Sequence, residues 1–433
     1  MTRPLRLLCF GMGLFLLNAC GNNVPTEIAQ ELSNVPENLD YNLHVKSILS
    51  DRCFACHGND KANQKAGLRL DNAEGAYTEL SESPGKYAIV PNSLSKSELF
   101  HRITSDDPEV VMPTPESNLK LSNYEKAVLV KWIEDGAVYK PHWAFIPPEK
   151  QQLPPTEKAN WANNEIDHFV LSSLERKGWQ PTETADKETL LRRVTFDLTG
   201  LPPTLEEIDD FVADNSSDAF EKVVGRLLES PHYGERMATE WMDLARFADT
   251  HGYTVDRYRD MSPWRDWVIE AYNQNMPYDE FVTWQLAGDM LPNATKEQIL
   301  ATGFNRNHQQ NMEGGIVAEE FRVEYVADRT NTLGTAFLGL TMECARCHDH
   351  KYDPISQKEY FQLYSFFNNV KEAGQISWNN DTPVPTLLLT EEEQEKTIAF
   401  INQKIAAQEA KLAQLRADTE ADFINWLDNG RKR

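Results

Sequence analysis

Four of the chain's six cysteines fall into two Cys-x-x-Cys pairs, and a histidine follows each pair directly: Cys53-Phe54-Ala55-Cys56-His57 and Cys344-Ala345-Arg346-Cys347-His348. Two thiols three residues apart can bond the two vinyl groups of one porphyrin, and the next residue then sets its imidazole on the iron. The spacing therefore predicts c-type haem, held covalently at Cys53 and Cys56 with His57 as axial ligand. The same chemistry is predicted at Cys344 and Cys347, with His348 on the iron. A thioredoxin-like CxxC would close a strand in a βαβ pattern, and none is evident. A zinc site needs a second ligand pair close by, whereas these pairs lie about 290 residues apart and each carries its own histidine.

A haem of this kind usually takes a sixth ligand. Val110-Val111-Met112-Pro113-Thr114-Pro115 places a methionine in a proline-stiffened polar loop, so Met112 is the candidate for the first iron. His/Met ligation raises the reduction potential and suits electron transfer. For the second iron, His350 lies too close to His348 to reach the opposite face. His308, Met312 and His251 are the candidates, and a sixth position left open would favour a substrate or small molecule there.

The elements that must position these groups read as mainly α. Asp40 to Leu49 carries enough apolar residues for a short helix into the first motif, and Leu121-Ser122 opens a helix that Gly136 stops. A proline-rich, aromatic linker over 138–160 cannot be one helix. Helices are then predicted over Asn164–Arg176, Glu188–Leu198, Leu205–Ala213, Ala219–Leu228, Gly234–Ala248, Trp264–Asn273 and Tyr278–Leu286. The aromatic run Tyr360–Phe367 reads as a helix after the second motif. Glu391–Leu427 reads as a long amphipathic helix, coiled-coil-like through Ile398, Ile401, Ile405, Leu412 and Leu415, with Gln408 interrupting the heptad. Glu320, Glu324 and Asp328 share one helical face, where Arg322 and Arg329 are expected to offset them, the alternative being a face that binds a cation or hydroxylated substrate.

The first 19 residues have a basic start, a short apolar run and a small residue before Cys20, as a secretory signal does. Leu17-Asn18-Ala19-Cys20 resembles the lipobox of bacterial lipoproteins, so Cys20 is expected to be lipidated and to anchor the chain on a membrane. Residues 20–39 read as a polar tether. The resulting organisation is signal peptide 1–19, tether 20–39, small haem domain 40–137, linker 138–160, larger helical domain 161–372 with the second motif, and 373–433 as linker and terminal helix. A formal net charge of −24 argues against nucleic acid and suits a basic redox partner protein.

Residues 40–137 resemble the planctomycete-type cytochrome c domain, through Cys53–Gly58, Gly67-Leu68-Arg69-Leu70-Asp71, Ser97-Glu98-Leu99, Met112-Pro113 and Trp132–Ala137. The family often has Met-Pro-Pro where this chain has Met-Pro-Thr-Pro. Residues 160–370 resemble the companion domain of that family, catalogued as of unknown function. The matching motifs are Leu198–Pro203, Trp264–Ile269, Gln285–Asp289, Ala301–Phe304, Glu320–Glu324 and the second haem motif with its continuation Asp349–Pro354. The family commonly places His directly after Gly-Phe; here that position is Asn305, and the nearest histidine is His308.

These readings make the chain an exported, lipid-anchored c-type haem protein of the bacterial cell envelope, periplasm-facing or on the outer membrane, that transfers electrons. The family's company with lectin-like and sugar-active domains implies a redox system acting on carbohydrate. An alternative makes the second domain itself a haem-dependent oxidoreductase. A third, a non-catalytic surface scaffold, would require both motifs to stay free of haem. No Ser-His-Asp set, Rossmann glycine fingerprint or P-loop supports hydrolase, NAD or nucleotide chemistry.

Overall fold

The computed structural model describes residues 24–379 and 383–430, so the signal segment and Cys20 lie outside the described residues. The fold is mainly α. Among the described residues there is no named strand, only isolated bridges such as Glu79 with Tyr87. No described helix is long and apolar enough to cross a membrane. The chain forms two compact units. The first comprises the described residues up to Glu183 together with Thr330–Asn368, and the second Thr184–Arg329 with the described residues from Asn369 on.

In the first unit, the apolar stripe of helix Asn123–Glu134 supplies much of the core: Val128, Leu129, Val130, Trp132 and Ile133 are all buried. Its start is fixed by a capping box, in which Ser122 accepts from the Glu125 amide and Glu125 accepts from the Ser122 amide. Its end is fixed by Gly136 at φ 100°, a left-handed turn that glycine adopts without strain. Tyr41, Trp132 and Tyr139 pack ring to ring around this helix, with centroids 4.9–5.9 Å apart. The segment expected to be a tether departs from that reading. Thr26–Glu31 is a helix with Ile28 buried, and Val24, Leu32 and Val35 join the same core. Burying these apolar side chains outweighs the polar composition of the segment around them.

In the second unit, helices Lys187–Thr199, Leu205–Ala213 and Ala219–Leu228 enclose a core of Leu191, Phe211, Val223 and Leu227. Helices Pro231–Leu244 and Ser262–Asn273 touch at Gly234, where a Cβ would stand 2.3 Å from the Ile269 carbonyl oxygen. Any side chain there would force the helices apart. The terminal helix Glu392–Gly430 exposes Ile398, Ile401, Ile405, Leu412 and Leu415 to solvent. The linker contains two short turns, Trp143–Phe145 and Ala159–Trp161, and no longer helix.

The acidic face also takes partners from outside its own helix. Asp328 accepts from Arg246 Nε at 2.6 Å, Arg322 pairs with Glu319 at 2.7 Å, and Arg329 pairs with Glu372. Arg246 and Glu372 come from distant segments, so only the fold brings these partners together.

Candidate haem sites

Helix Lys46–Arg52 leads directly into the first motif, and a single helical turn, Phe54–His57, follows Cys53. Phe54 is buried in the core and fixes that turn. At Gly58 a Cβ would lie 2.5 Å from the Phe54 carbonyl oxygen, so the chain can leave the motif this tightly only with glycine. The following loop folds back on the motif: the Lys65 amide donates to the Cys56 carbonyl and the Leu70 amide to the His57 carbonyl, both at 2.8 Å. Cys56 is exposed and Cys53 half-buried, and burial pushes the Cys53 thiol up to about 12. Burial also lowers the His57 pKa, which keeps the ring neutral with a lone pair to offer a metal. Its Nδ1 is buried and without a hydrogen-bond partner.

Met112 stands in the loop after helix Glu98–Ile103. Its amide donates to the Arg102 carbonyl at 3.1 Å, and the charge of Arg102 is among the influences on His57. The loop is braced by Asp107, whose carbonyl accepts from Val110 and Val111 and whose side chain accepts from the Glu109 amide.

The second motif is a short turn, Glu343–Arg346, that leaves Cys344, Cys347 and His348 exposed. Beneath it, Leu340, Met342, Ala345, Ile355 and Tyr360 form a small core against which Ala144 packs. Gln357, at the start of the capped helix Gln357–Phe367, donates to the Cys347 carbonyl at 2.8 Å and the Arg346 carbonyl at 3.2 Å. His348 Nδ1 lies 2.8 Å from the Asp349 carbonyl. A carbonyl can only accept, so Nδ1 carries the proton and Nε2 is left with the lone pair, the arrangement a metal-ligating histidine requires. His350 is arranged the other way: its Nδ1 accepts from the Tyr352 and Asp353 amides.

Both motifs lie in the first unit, and two short hydrogen-bonded runs, joined by three residues of chain, extend from one towards the other. The Leu70 amide donates to His57, and Tyr139 donates its hydroxyl to the Leu70 carbonyl at 3.0 Å. Three residues on, His142 Nε2 meets Asp353 Oδ1 at 2.9 Å; its Nδ1 accepts from the Ala144 amide, so Nε2 is the donor. Asp353 is joined in turn to His350, two residues from His348. Arg69, next to Leu70, is held above the ordinary guanidinium range, first by its hydrogen bond to Asp71 and in smaller part by the charge of Asp349.

The donor set fits covalent haem. Each motif offers two thiols and one imidazole with a free lone pair, while no group of three His, Cys, Asp or Glu side chains among the described residues could enclose a metal ion by itself. A four-ligand zinc site has no second pair beside either motif.

The other candidates for the second iron all belong to the second unit. His308 is fully buried, and both its ring nitrogens are engaged. Nδ1 meets the Gln309 carbonyl at 2.8 Å, so Nε2 is the acceptor, and Arg329 Nη2 donates to it at 2.8 Å. As placed, His308 has no lone pair for an iron. Asn305, where the family has histidine, donates instead to the Gln285 and Leu286 carbonyls. His251 and Met312 are buried. What sequence reasoning missed is Glu372, the carboxylate that pairs with Arg306 and with the Arg329 that engages His308, and that lies 3.1 Å from His308 Nε2. No local signal marks it, since Glu372 and His308 are far apart in the chain.

This cluster sets a pH dependence. Burial lowers the His308 pKa from 6.5 to about 4, so the folded chain refuses a proton that the unfolded chain accepts. Stability therefore falls as pH drops from 6.5 towards 4. Burial alone would raise Glu372, but its ion pairs with Arg306 and Arg329 more than offset it and hold the carboxyl well below its usual range. Its contribution is present above pH 4.5 and is lost as pH falls further. Denaturant unfolding between pH 7 and 4 should show a steeper loss for the natural chain than for His308→Gln. Equal slopes would refute the assignment.

Residues 53–116 match the family model described as planctomycete cytochrome C, and residues 165–372 match that of a protein of unknown function, DUF1549. No curated protein and no solved structure matches the chain.

Proposed function

Since this chain carries a planctomycete cytochrome C domain followed by a DUF1549 domain, we propose that it is a two-haem electron carrier anchored by lipid at Cys20 in the bacterial cell envelope. Cys53, Cys56 and His57 would hold the first haem, with Met112 as sixth ligand. Cys344, Cys347 and His348 would hold the second. Bound haem iron supplies reversible one-electron chemistry. The chain's own contribution is to keep His57 neutral by burial, to fix the His348 tautomer through Asp349, and to hold the two motifs together.

The observation that carries this reading is that both motifs belong to one unit, with hydrogen bonds from His57 to Leu70 and Tyr139 and, three residues further along the chain, from His142 to Asp353 and on to His350. A shared rigid frame suits electron passage between two haems, because their separation would not vary. The charge of −24 suits a basic redox partner. A second reading, a haem-dependent oxidoreductase acting on carbohydrate, draws support from the engagement of both His308 nitrogens. His251 and Met312 remain as candidates, and a sixth position that neither fills would be open to substrate at the second iron.

Protein exported with the c-type maturation machinery should give two haems per chain by pyridine haemochrome. Cys344→Ala with Cys347→Ala should reduce this to one. A single haem untouched by the double substitution would refute the second site, and no haem would refute the whole reading.

A further inference from the structure

We infer that the second unit has a binding cleft for a neutral sugar ring, centred on Trp378. The inference rests on the carbohydrate reading above and gives it a place. The cleft measures about 480 Å³ and is lined by Met312, Gly314, Gln375, Ile376, Ser377 and Trp378. That size falls within the range of small-molecule sites. It lies wholly within the second unit.

Its floor is rigid. Residues Asn311 and Gln375 form a parallel bridge, the Ile376 amide donates to the Asn311 carbonyl at 2.9 Å, and Gln375 Nε2 donates to the Glu313 carbonyl at 2.6 Å. Tyr325 ties both strands of this floor: its hydroxyl accepts from the Asn311 amide and donates to the Gly374 carbonyl. Met312 and Ile376 are buried and apolar, whereas the Trp378 indole is 55% exposed.

Trp378 is held in place. Arg257 lies 4.4 Å from its ring centroid and donates to its carbonyl at 3.0 Å. An indole fixed on one face by a guanidinium presents a pre-organised apolar platform. The cation already there disfavours a second cation on the same ring, which turns the choice towards a neutral ligand. The apolar C–H face of a sugar ring meets that demand.

The polar part of recognition comes from Gln375 and Ser377, which line the cleft together with Trp378. At Gly314 and Gly315 a Cβ would meet nothing within 4 Å, so that side of the cleft is bare backbone over which a ring can lie. One aromatic face with an amide and a hydroxyl side chain in the same lining suits a hydroxylated ring.

The test uses the full-length haem-loaded protein with cellobiose, maltose and laminaribiose, read by saturation-transfer NMR and calorimetry. At least one should bind saturably. Trp378→Ala should weaken it by about tenfold or more, as loss of an aromatic anchor does. Gly314→Leu, which adds a side chain to the cleft lining, should also weaken binding; both variants should retain the far-UV circular dichroism of the parent. Absence of binding by all three sugars, binding undiminished in both variants, or preference for tetramethylammonium would overturn the inference. Because the readout needs no electron transfer, such a failure leaves the haem count intact, and a failed haem count leaves the sugar result standing.

Discussion

Replacing Met112 with Ala should lower the potential of the first haem by on the order of 100 mV, a modest part of the ~0.8 V over which axial ligands act. The thioether is a soft donor that favours ferrous over ferric iron, so its loss stabilises the oxidised form. If Met112 ligates the iron as proposed, the bonds of its loop would steady that sulfur. Its amide is tied to Arg102, its approach is braced by Asp107, and prolines at 113 and 115 restrict the backbone beyond it. Redox titration followed by the haem spectrum would show the shift, together with loss of the weak methionine–iron charge-transfer band. Met342→Leu is the control, since Met342 lies in the small core beneath the second motif. An unchanged first potential with the band intact would mean that another side chain ligates the iron.

Removing Glu372 should have the largest effect on stability. Arg329 and His308 are almost wholly buried, Arg306 is mostly so, and Glu372 is the carboxylate that meets all three. Gln310, also buried, donates to the same carboxylate at 3.1 Å. Breaking such a network by deleting one partner leaves buried charge uncompensated and typically costs about 3–5 kcal/mol. Glu372→Ala should therefore lower the urea midpoint of the second unit sharply. The double substitution Glu372→Ala with Arg329→Met should recover part of the loss, because it also removes one stranded cation. Equal stability of the single variant and the parent would show that solvent reaches these arginines freely.

The legible part of the fold is the part governed by local rules. Helices Leu205–Ala213 and Ala219–Leu228 fall where their apolar spacing puts them, and Asn164 and Ser122 cap the helices they precede. The motifs themselves were readable because haem attachment depends on spacing alone. Long-range pairing was not readable in this way. Arg246 with Asp328 and Glu372 with Arg329 join segments that no window along the chain connects. The helix at Thr26–Glu31 is an intermediate case. Val24, Ile28, Leu32 and Val35 recur at helical spacing, but asparagine, proline and serine around them made the composition read as a tether. Periodicity carried the better signal there.

That N-terminal helix changes how far the haem unit could stand from a membrane. With the chain packed into the core from Val24, only four peptide steps separate it from Cys20. Even fully extended, that distance is about 14 Å. A lipid on Cys20 would therefore hold the protein on a short leash, with its first haem domain near the bilayer surface. A carrier so confined exchanges electrons with partners that come to the membrane, and its range is set by lateral diffusion in the lipid.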